Sequence, residues 1–408
     1  MGCSFLPFSL VFDDFLANFI PAWYNMKKSG RSIIMKKAVL IPDSFKGTLS
    51  SAQICQIMAT EIKKKFPACE VISIPVADGG EGSVDAFLAA LGGEKLVISA
   101  ANPYFETMQS FYGLIDNGRT AVIEMAACAG LPLVADRKNP CLTTTYGVGQ
   151  LILDAAAKGV KKIVVGLGGS ATTDAGCGAA AAVGVRFLNA AGESFVPVGG
   201  TLKDVDKIDM SGLSPALSGV EIVTMCDIDN PMYGENGAAY VFGPQKGADP
   251  DMVRFLDDGL RHLGEVIKRD LGRDLTLVPG GGAAGAMGVG MMAFFGSTLQ
   301  MGIETVLDTV GFDRLLSGAD AVFTGEGKLD TQSLRGKVVI GVARRARKQN
   351  VPVIAVVGGA DLGIEDAYTE GVKAVFTINR LPQDLSVSAP FSGVNLAFTM
   401  DNILRLLP

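Results

Sequence analysis

Short apolar runs that stop at an acid or a glycine recur along this chain, each followed by a loop and a helical pattern. "KAVLIP" (37–42) runs into Asp43, "EVISIPVA" (70–77) into Asp78, "VEIVTMC" (220–226) into Asp227, and "DAVFTG" (320–325) into Glu326. Runs that are apolar throughout are buried on both faces. Alternation with helices is the signature of a parallel sheet covered by helices, so an α/β fold is expected. Between the first two runs, "SSAQICQIMATEIKKKF" (50–66) puts Ile54, Ile57, Met58, Ile62 and Phe66 on one helical face. Ser50 and Gln53 have capping-box spacing, and Pro67 stops the helix. The rhythm returns near the C-terminus, with a helix over 333–349, strands "VPVIAVVGG" (351–359) and "KAVFTI" (373–378), and a closing helix over 394–406.

The middle of the chain breaks this rhythm. "KLVISAAN", "MQSFYGLID" and "NGRTAVIEM" fall within residues 95–140, and the turn Asp116-Asn117-Gly118 joins the last two as paired strands. A helix (145–158), a strand (161–167), a long helix (250–270) and a Gly-rich run (280–290) follow. At 408 residues the chain exceeds one ordinary hydrophobic core. The expected organisation is a discontinuous domain, 35–93 plus 285–408, with a second α/β domain inserted at 94–284. Residues 1–34 are apolar but interrupted by Pro7, Asp13, Asp14 and Pro21, too broken to span a bilayer. They read as an extension outside the core, with Met35 opening the natural start.

Composition removes several functions. A net charge of −6, without basic runs interleaved with aromatics, argues against nucleic acid as a partner. His262 is the only histidine and sits in the amphipathic helical pattern "DDGLRHLGEVI" with nothing nearby to pair with it, which argues against a Ser-His-Asp triad or a His-rich metal site and leaves acid–base work to carboxylates or lysine. The seven cysteines form no CxxC pair and read as reduced, mostly buried thiols of a cytoplasmic protein. Neither G-x-x-x-x-G-K-[ST] nor an early G-x-G-x-x-G is present, which disfavours a P-loop NTPase and a dinucleotide oxidoreductase.

What remains is the set of loops at strand ends, where ligands of open α/β sheets bind. "GLGGSATTDAG" (166–176) and "PGGGAAGAMGVG" (279–290) offer backbone N–H groups to anionic oxygens, through Gly168, Gly169 and Ser170 in one and Gly280, Gly281 and Gly282 in the other. Lys46, Lys246 and Lys337 are mobile cations suited to phosphate or carboxylate. Strand-end acids can hold Mg²⁺ or take a proton from an attacking hydroxyl. Residues 324–337 concentrate these parts, with Gly325, Gly327, Glu326, Asp330 and Lys337 in one turn. Together they are the components of phosphoryl transfer.

Read in order, the loops "DSFKGTLSS" (43–51), "PVADGGEGS" (75–83), "IEMAACAGL" (123–131), "GGSATTDAGCG" (168–178), "CDIDNPMYGENGAAYVFGPQKGAD" (226–249), "GGGAAGAMG" (280–288) and "TGEGKLDTQSLRGK" (324–337) strongly resemble the class I bacterial glycerate kinases. The match spans residues 35–408, with Thr173 where the family often has Asn and Gly281 where Ala is common. The resemblance implies a flavodoxin-like domain built from both chain ends and an inserted α/β domain, with the active site between them. It implies ATP and Mg²⁺ as cofactors and D-glycerate as the small-molecule substrate, phosphorylated on the 2-hydroxyl, in sugar-acid or glyoxylate catabolism. Membranes and nucleic acid are not expected partners, and a homodimer is left open. Asp227 and Glu326 are then candidates for Mg²⁺, and Asp43, Ser44, Lys46, Asp78, Glu81 and Asn230 for the substrate. Asp330, Asp174 and Asp227 stay equal candidates for the proton acceptor. A 3-phosphoglycerate-forming kinase and a non-catalytic hydroxy-acid or nucleotide sensor remain as alternatives.

Overall fold

The structure, a computed structural model, describes residues 35–76 and 79–407. The 1–34 extension, Cys3 and Asp78 lie outside the described residues.

Both chain ends contribute to a five-stranded sheet that is parallel throughout. Its spatial order is Glu70–Ser73, Lys37–Pro42, Ala321–Gly325, Val353–Val357, Val372–Thr377, which is 2-1-3-4-5 by position along the chain. That is the flavodoxin-like order that the family resemblance implies. Successive residues of its central strands alternate between two cores: Val39 and Ile41 face one, Ala38 and Leu40 the other. The outer core is closed by helices Ser51–Lys65 and Ser392–Leu406 through Ile54, Met58, Leu396 and Met400. Ser50 and Gln53 form the expected capping box on the first of these helices.

The inserted segment builds a six-stranded sheet in the order Thr298–Gln300, Glu221–Met225, Lys162–Gly166, Thr120–Glu124, Thr107–Ile115, Glu94–Ala101. The first four strands are parallel, and the last two add antiparallel, as the 95–140 pattern suggests. In sheet membership one stretch differs from the sequence reading, which assigns 285–300 to the lobe of the chain ends. Strand Thr298–Gln300 pairs with Glu221–Met225, and helix Ala283–Phe295 packs its Met287 and Met291 beside Val165 in the core of this sheet. The helix is so uniformly apolar that its pattern cannot say which sheet it covers.

The inner core is common to both sheets. Val39, Ile41 and Val322 of one sheet and Val122, Val164 and Met225 of the other pack into one cluster with Val84, Phe87, Ile303, Val306, Val339 and Val342. Helices Ser83–Leu91, Gly302–Thr309 and Val338–Arg347 carry that middle layer. Among the described residues no helix is long and apolar enough to cross a membrane. The six described cysteines are all free thiols.

Candidate active site

A 2-1-3-4-5 sheet has its topological switch point between strands 1 and 3, where connections leave in opposite directions and open a crevice at the carboxyl ends. Here those strands are Lys37–Pro42 and Ala321–Gly325. The turns that leave them hold Asp43, Ser44 and Lys46 on one side and Glu326 and Gly327 on the other. The Asp43 amide donates to Gly325 O at 2.7 Å, which locks the two turns together.

A cleft of about 690 Å³ opens at this point, and Asp43, Ser44, Lys46, Glu326, Gly327 and Lys337 line it. Asp227 and Ile228, from the far side, complete the wall. They follow strand Glu221–Met225 of the six-stranded sheet, so carboxyl ends from both sheets converge here. Asp227 Oδ1 accepts the amide of Gly302 at 2.6 Å, the first residue of helix Gly302–Thr309, which fixes the carboxylate at the junction. Glu326 is 5% exposed, and its Oε1 has no hydrogen-bond partner among the described residues. Burial pushes its carboxyl up to about 7; Asp43 and Asp330 add to the rise, while Ser333 and Lys337 oppose it. Glu326 lines the cleft, and a buried carboxylate oxygen left without a partner is a costly arrangement.

A second cavity, of about 330 Å³, shares Asp227 and Ile228 with the first. Gly168, Gly169 and Ser170 form part of its wall, with Leu131, Leu167, Met225, Phe242, Ala283 and Ala284 as its apolar lining. Lys246 also lines it and is only 2% exposed. Its Nζ donates to Thr172 O at 2.6 Å and to Ser170 Oγ at 3.5 Å. Burial pushes the ammonium down to about 7, and the charge of Asp174 only partly opposes this. The 3-10 turn Pro244–Lys246 delivers the lysine inward and ends on Gly247, whose φ of 96° suits glycine.

Other expected site residues go elsewhere. Asp174 is fully buried and lines neither cavity; it accepts from Thr145 N, Thr145 Oγ1, Gly176 N and Gly178 N at 2.7–3.2 Å. Burial raises its pKa despite those four donors. Asp330 lines neither cavity. Its Oδ1 accepts the amides of Gln332 and Ser333 at 2.9 and 3.0 Å, closing an Asx turn. Burial raises its pKa, but those amides and Lys337 outweigh this, and the net shift is downward. Gly280 and Gly282 are packing glycines: a Cβ would fall 2.9 Å from Cys226 Sγ and 2.1 Å from Pro231 O respectively. At Gly281 a Cβ would meet Val289 at 2.9 Å, and at Gly325 it would meet Val356 O at 2.0 Å. Asn230 Nδ2 ties down its own loop by donating to Asn236 O at 2.8 Å. Glu81 is exposed beside the 168–170 turn, where a Cβ on Gly169 would lie 3.6 Å from its Oε1.

Several lining residues carry no motif that would have marked them. Asp361, Asn379, Ser388 and Ser392 edge the larger cleft as single polar residues outside the quoted loops, beside Thr48 and Ser333, which lie within them. A signal does exist for Asp361: it follows the "VPVIAVVGG" strand, as the other strand-end acids follow theirs. Glu124 is the opposite case. It is a strand-end acid, 3% exposed, spent on capping helix Ser83–Leu91 through Val84 N at 2.6 Å and Gly82 N at 3.1 Å.

Comparison with known proteins matches residues 38–408 to the model of the "Glycerate kinase family". A glycerate kinase of Bacillus cereus is 42% identical over 90% of this chain and 97% of its own length. The glycerate 2-kinase of Escherichia coli K12 is 42% identical over 84% of this chain and 90% of its own. A crystal structure from Salmonella typhimurium LT2, described as a candidate glycerate kinase 2, superposes with a TM-score of 0.81 at 39% identity, covering 91% of this chain and 98% of that one.

Proposed function

The chain belongs to the glycerate kinase family, and from that premise we propose that the cleft between its sheets transfers the γ-phosphoryl group of ATP to the 2-hydroxyl of D-glycerate, releasing ADP and 2-phosphoglycerate. The enzyme is a small-molecule kinase. The observation that supports this site is the meeting of two cavities at Asp227, where carboxyl-terminal turns of both sheets converge. The 2-hydroxyl is preferred because a 42% identical relative is a glycerate 2-kinase.

Phosphoryl transfer asks the protein for positioning and for neutralisation of spreading negative charge. Lys46 and Lys337 stand in the larger cleft and Lys246 in the smaller; they supply the cations for phosphate and carboxylate oxygens. The substrate hydroxyl attacks the γ-phosphorus, the new O–P bond forms as the bond to the β,γ-bridging oxygen breaks, and ADP departs. The Glu326 carboxylate, which lines the cleft, takes the hydroxyl proton. A carboxyl held near 7 is matched to that transfer at neutral pH.

Mg²⁺ fits this cleft. Among the described residues no group of three or more His, Cys, Asp or Glu side chains could hold a metal ion alone. Mg²⁺ habitually takes one or two carboxylates and completes its shell with phosphate oxygens and water. Asp227, which lines the same cleft as Glu326, would hold it. Bound there, the ion would neutralise charge on the β- and γ-phosphates. The free thiols of the six described cysteines suit a reducing compartment such as the cytoplasm, which fractionation of the source cells would test.

The reading is tested by ADP release with D-glycerate against a panel of hydroxy acids. Enolase is added to the product with and without phosphoglycerate mutase. Phosphoenolpyruvate formed by enolase alone is the expected result. A requirement for the mutase would move the transfer to the 3-hydroxyl, and no ADP release with D-glycerate would remove the proposal.

A further inference from the structure

The two cavities that meet at Asp227 differ in size, lining and charge. The larger, about 690 Å³, sits at the switch point of the five-stranded sheet and is lined by Asp43, Ser44, Lys46, Glu326, Lys337 and Asp361 among others. The smaller, about 330 Å³, is walled mainly by apolar side chains and by the 168–170 turn, and Lys246 is its buried cation. We propose that the smaller cavity is the sugar-acid pocket, with the Lys246 ammonium anchoring the substrate carboxylate, and that the larger cleft takes the nucleotide. This assignment rests on the glycerate kinase reading given above.

Lys246 is the first reason. An ammonium carries three N–H donors. Two have acceptors, Thr172 O at 2.6 Å and Ser170 Oγ at the long distance of 3.5 Å. Among the described residues no carboxylate is within ion-pair distance of Nζ. Asp174, the anion felt by this lysine, is saturated by Thr145, Gly176 and Gly178. Lysine is almost never fully buried without a partner, because the desolvation of a lone charge is severe. The missing partner is an anion, and the space to receive it is the cavity that Lys246 lines.

Size and geometry give the second. The smaller cavity suits a three-carbon acid, whose carboxylate would meet Lys246 while its carbon skeleton packs on the apolar wall. A nucleoside triphosphate needs the larger cleft, with its lysines and strand-end acids, and the switch point of a 2-1-3-4-5 sheet is where such a sheet opens to receive a ligand. Both cavities reach Asp227 and Ile228, so the hydroxyl end of one ligand would meet the phosphate end of the other there.

Backbone strain is the third. Ala284 lines the smaller cavity with φ 55° and is followed by Gly285 at 68° and Ala286 at 66°. Left-handed alanines cost energy and persist where the surroundings over-determine them, often at ligand sites. Here Gly285 O accepts the Ala175 amide at 3.0 Å, coupling the strained segment to the loop that carries Ser170 and Thr172.

The test measures KM for D-glycerate and for ATP separately in K246M, whose side chain keeps most of the lysine volume. The expected result is a KM for D-glycerate raised about 30-fold or more, the size that follows from losing a buried charged partner, with KM for ATP changed less than about twofold. A rise confined to ATP, or no change in either constant, would overturn the assignment. Because K246M alters a buried site, a second variant guards the outcome. Leu131→Trp fills the smaller cavity from its apolar wall and should abolish D-glycerate binding by calorimetry while a fluorescent ATP analogue still binds. Loss of the ATP analogue with D-glycerate binding retained would also overturn it. These results separate the two proposals: a wild-type enzyme that releases no ADP defeats the kinase reading, whereas normal turnover with the effects on the wrong ligand defeats only this assignment.

Discussion

Glu326 holds a buried oxygen with no hydrogen-bond partner among the described residues, and its carboxyl lies at about 7 where the ordinary value is 4.5. A folded-state pKa above the unfolded one means that the folded chain binds the extra proton. The stabilisation from the neutral acid is therefore complete below about 4.5 and is lost as pH rises through about 7. E326Q lacks this titration. Its unliganded form should be more stable than wild type at pH 8, by on the order of 3 kcal/mol, with the gap closing below pH 5, while kcat falls by orders of magnitude. Denaturant midpoints at the two pH values, with initial rates, check both halves. Equal stability at pH 8 together with unimpaired turnover would remove Glu326 from the role given to it. D330N keeps the acceptor of its Asx turn and should lower kcat less than E326Q. The sequence presents Asp174, Asp330, Asp227 and Glu326 as equivalent strand-end or loop acids. Only burial and the four amide and hydroxyl donors around Asp174 separate a structural carboxylate from one that faces a ligand.

Among the elements, strands were the legible part. Their uninterrupted apolar runs announce a buried parallel sheet, and Asp116-Asn117-Gly118 announces the hairpin. Glycines were harder to read, since an anion cradle and a close backbone contact use the same residue. Gly280 and Gly282 serve contact, whereas Gly168 serves contact and cavity wall together. Gly168 N donates to Gly79 O at 3.0 Å, and a Cβ on Gly168 would stand 2.4 Å from Gly80 Cα. Through this approach Gly79 and Gly80 lie against the six-stranded sheet. G168A should therefore destabilise the fold by roughly 1–3 kcal/mol, as overpacking does, and raise KM as the 168–170 turn shifts. Unfolding midpoints matching wild type would show that the contact is softer than the backbone geometry implies. The capping box at Ser50 was readable because both partners are local. The allegiance of helix Ala283–Phe295 was not, because an all-apolar helix has no face to read.

At the scale of the whole molecule, one inner core serves both sheets, and their carboxyl ends open toward one junction. The presence of an inserted α/β unit follows from the rhythm of the sequence, and the flavodoxin-like order on the five-stranded side from its resemblance to a family. The shared core and the meeting of two cavities at Asp227 do not, since contacts between residues hundreds of positions apart leave no local pattern. The polar residues Asn379, Ser388 and Ser392 reach the cleft unannounced for the same reason. The central claim is that this junction holds both reactants at once. A crystal structure with D-glycerate and a non-hydrolysable ATP analogue tests it most directly. The account predicts both ligands in the two joined cavities, with the terminal phosphate and the sugar-acid hydroxyl facing each other beside Asp227 and Glu326. Either ligand bound outside those cavities, or the two held on separate faces of the molecule, would contradict it.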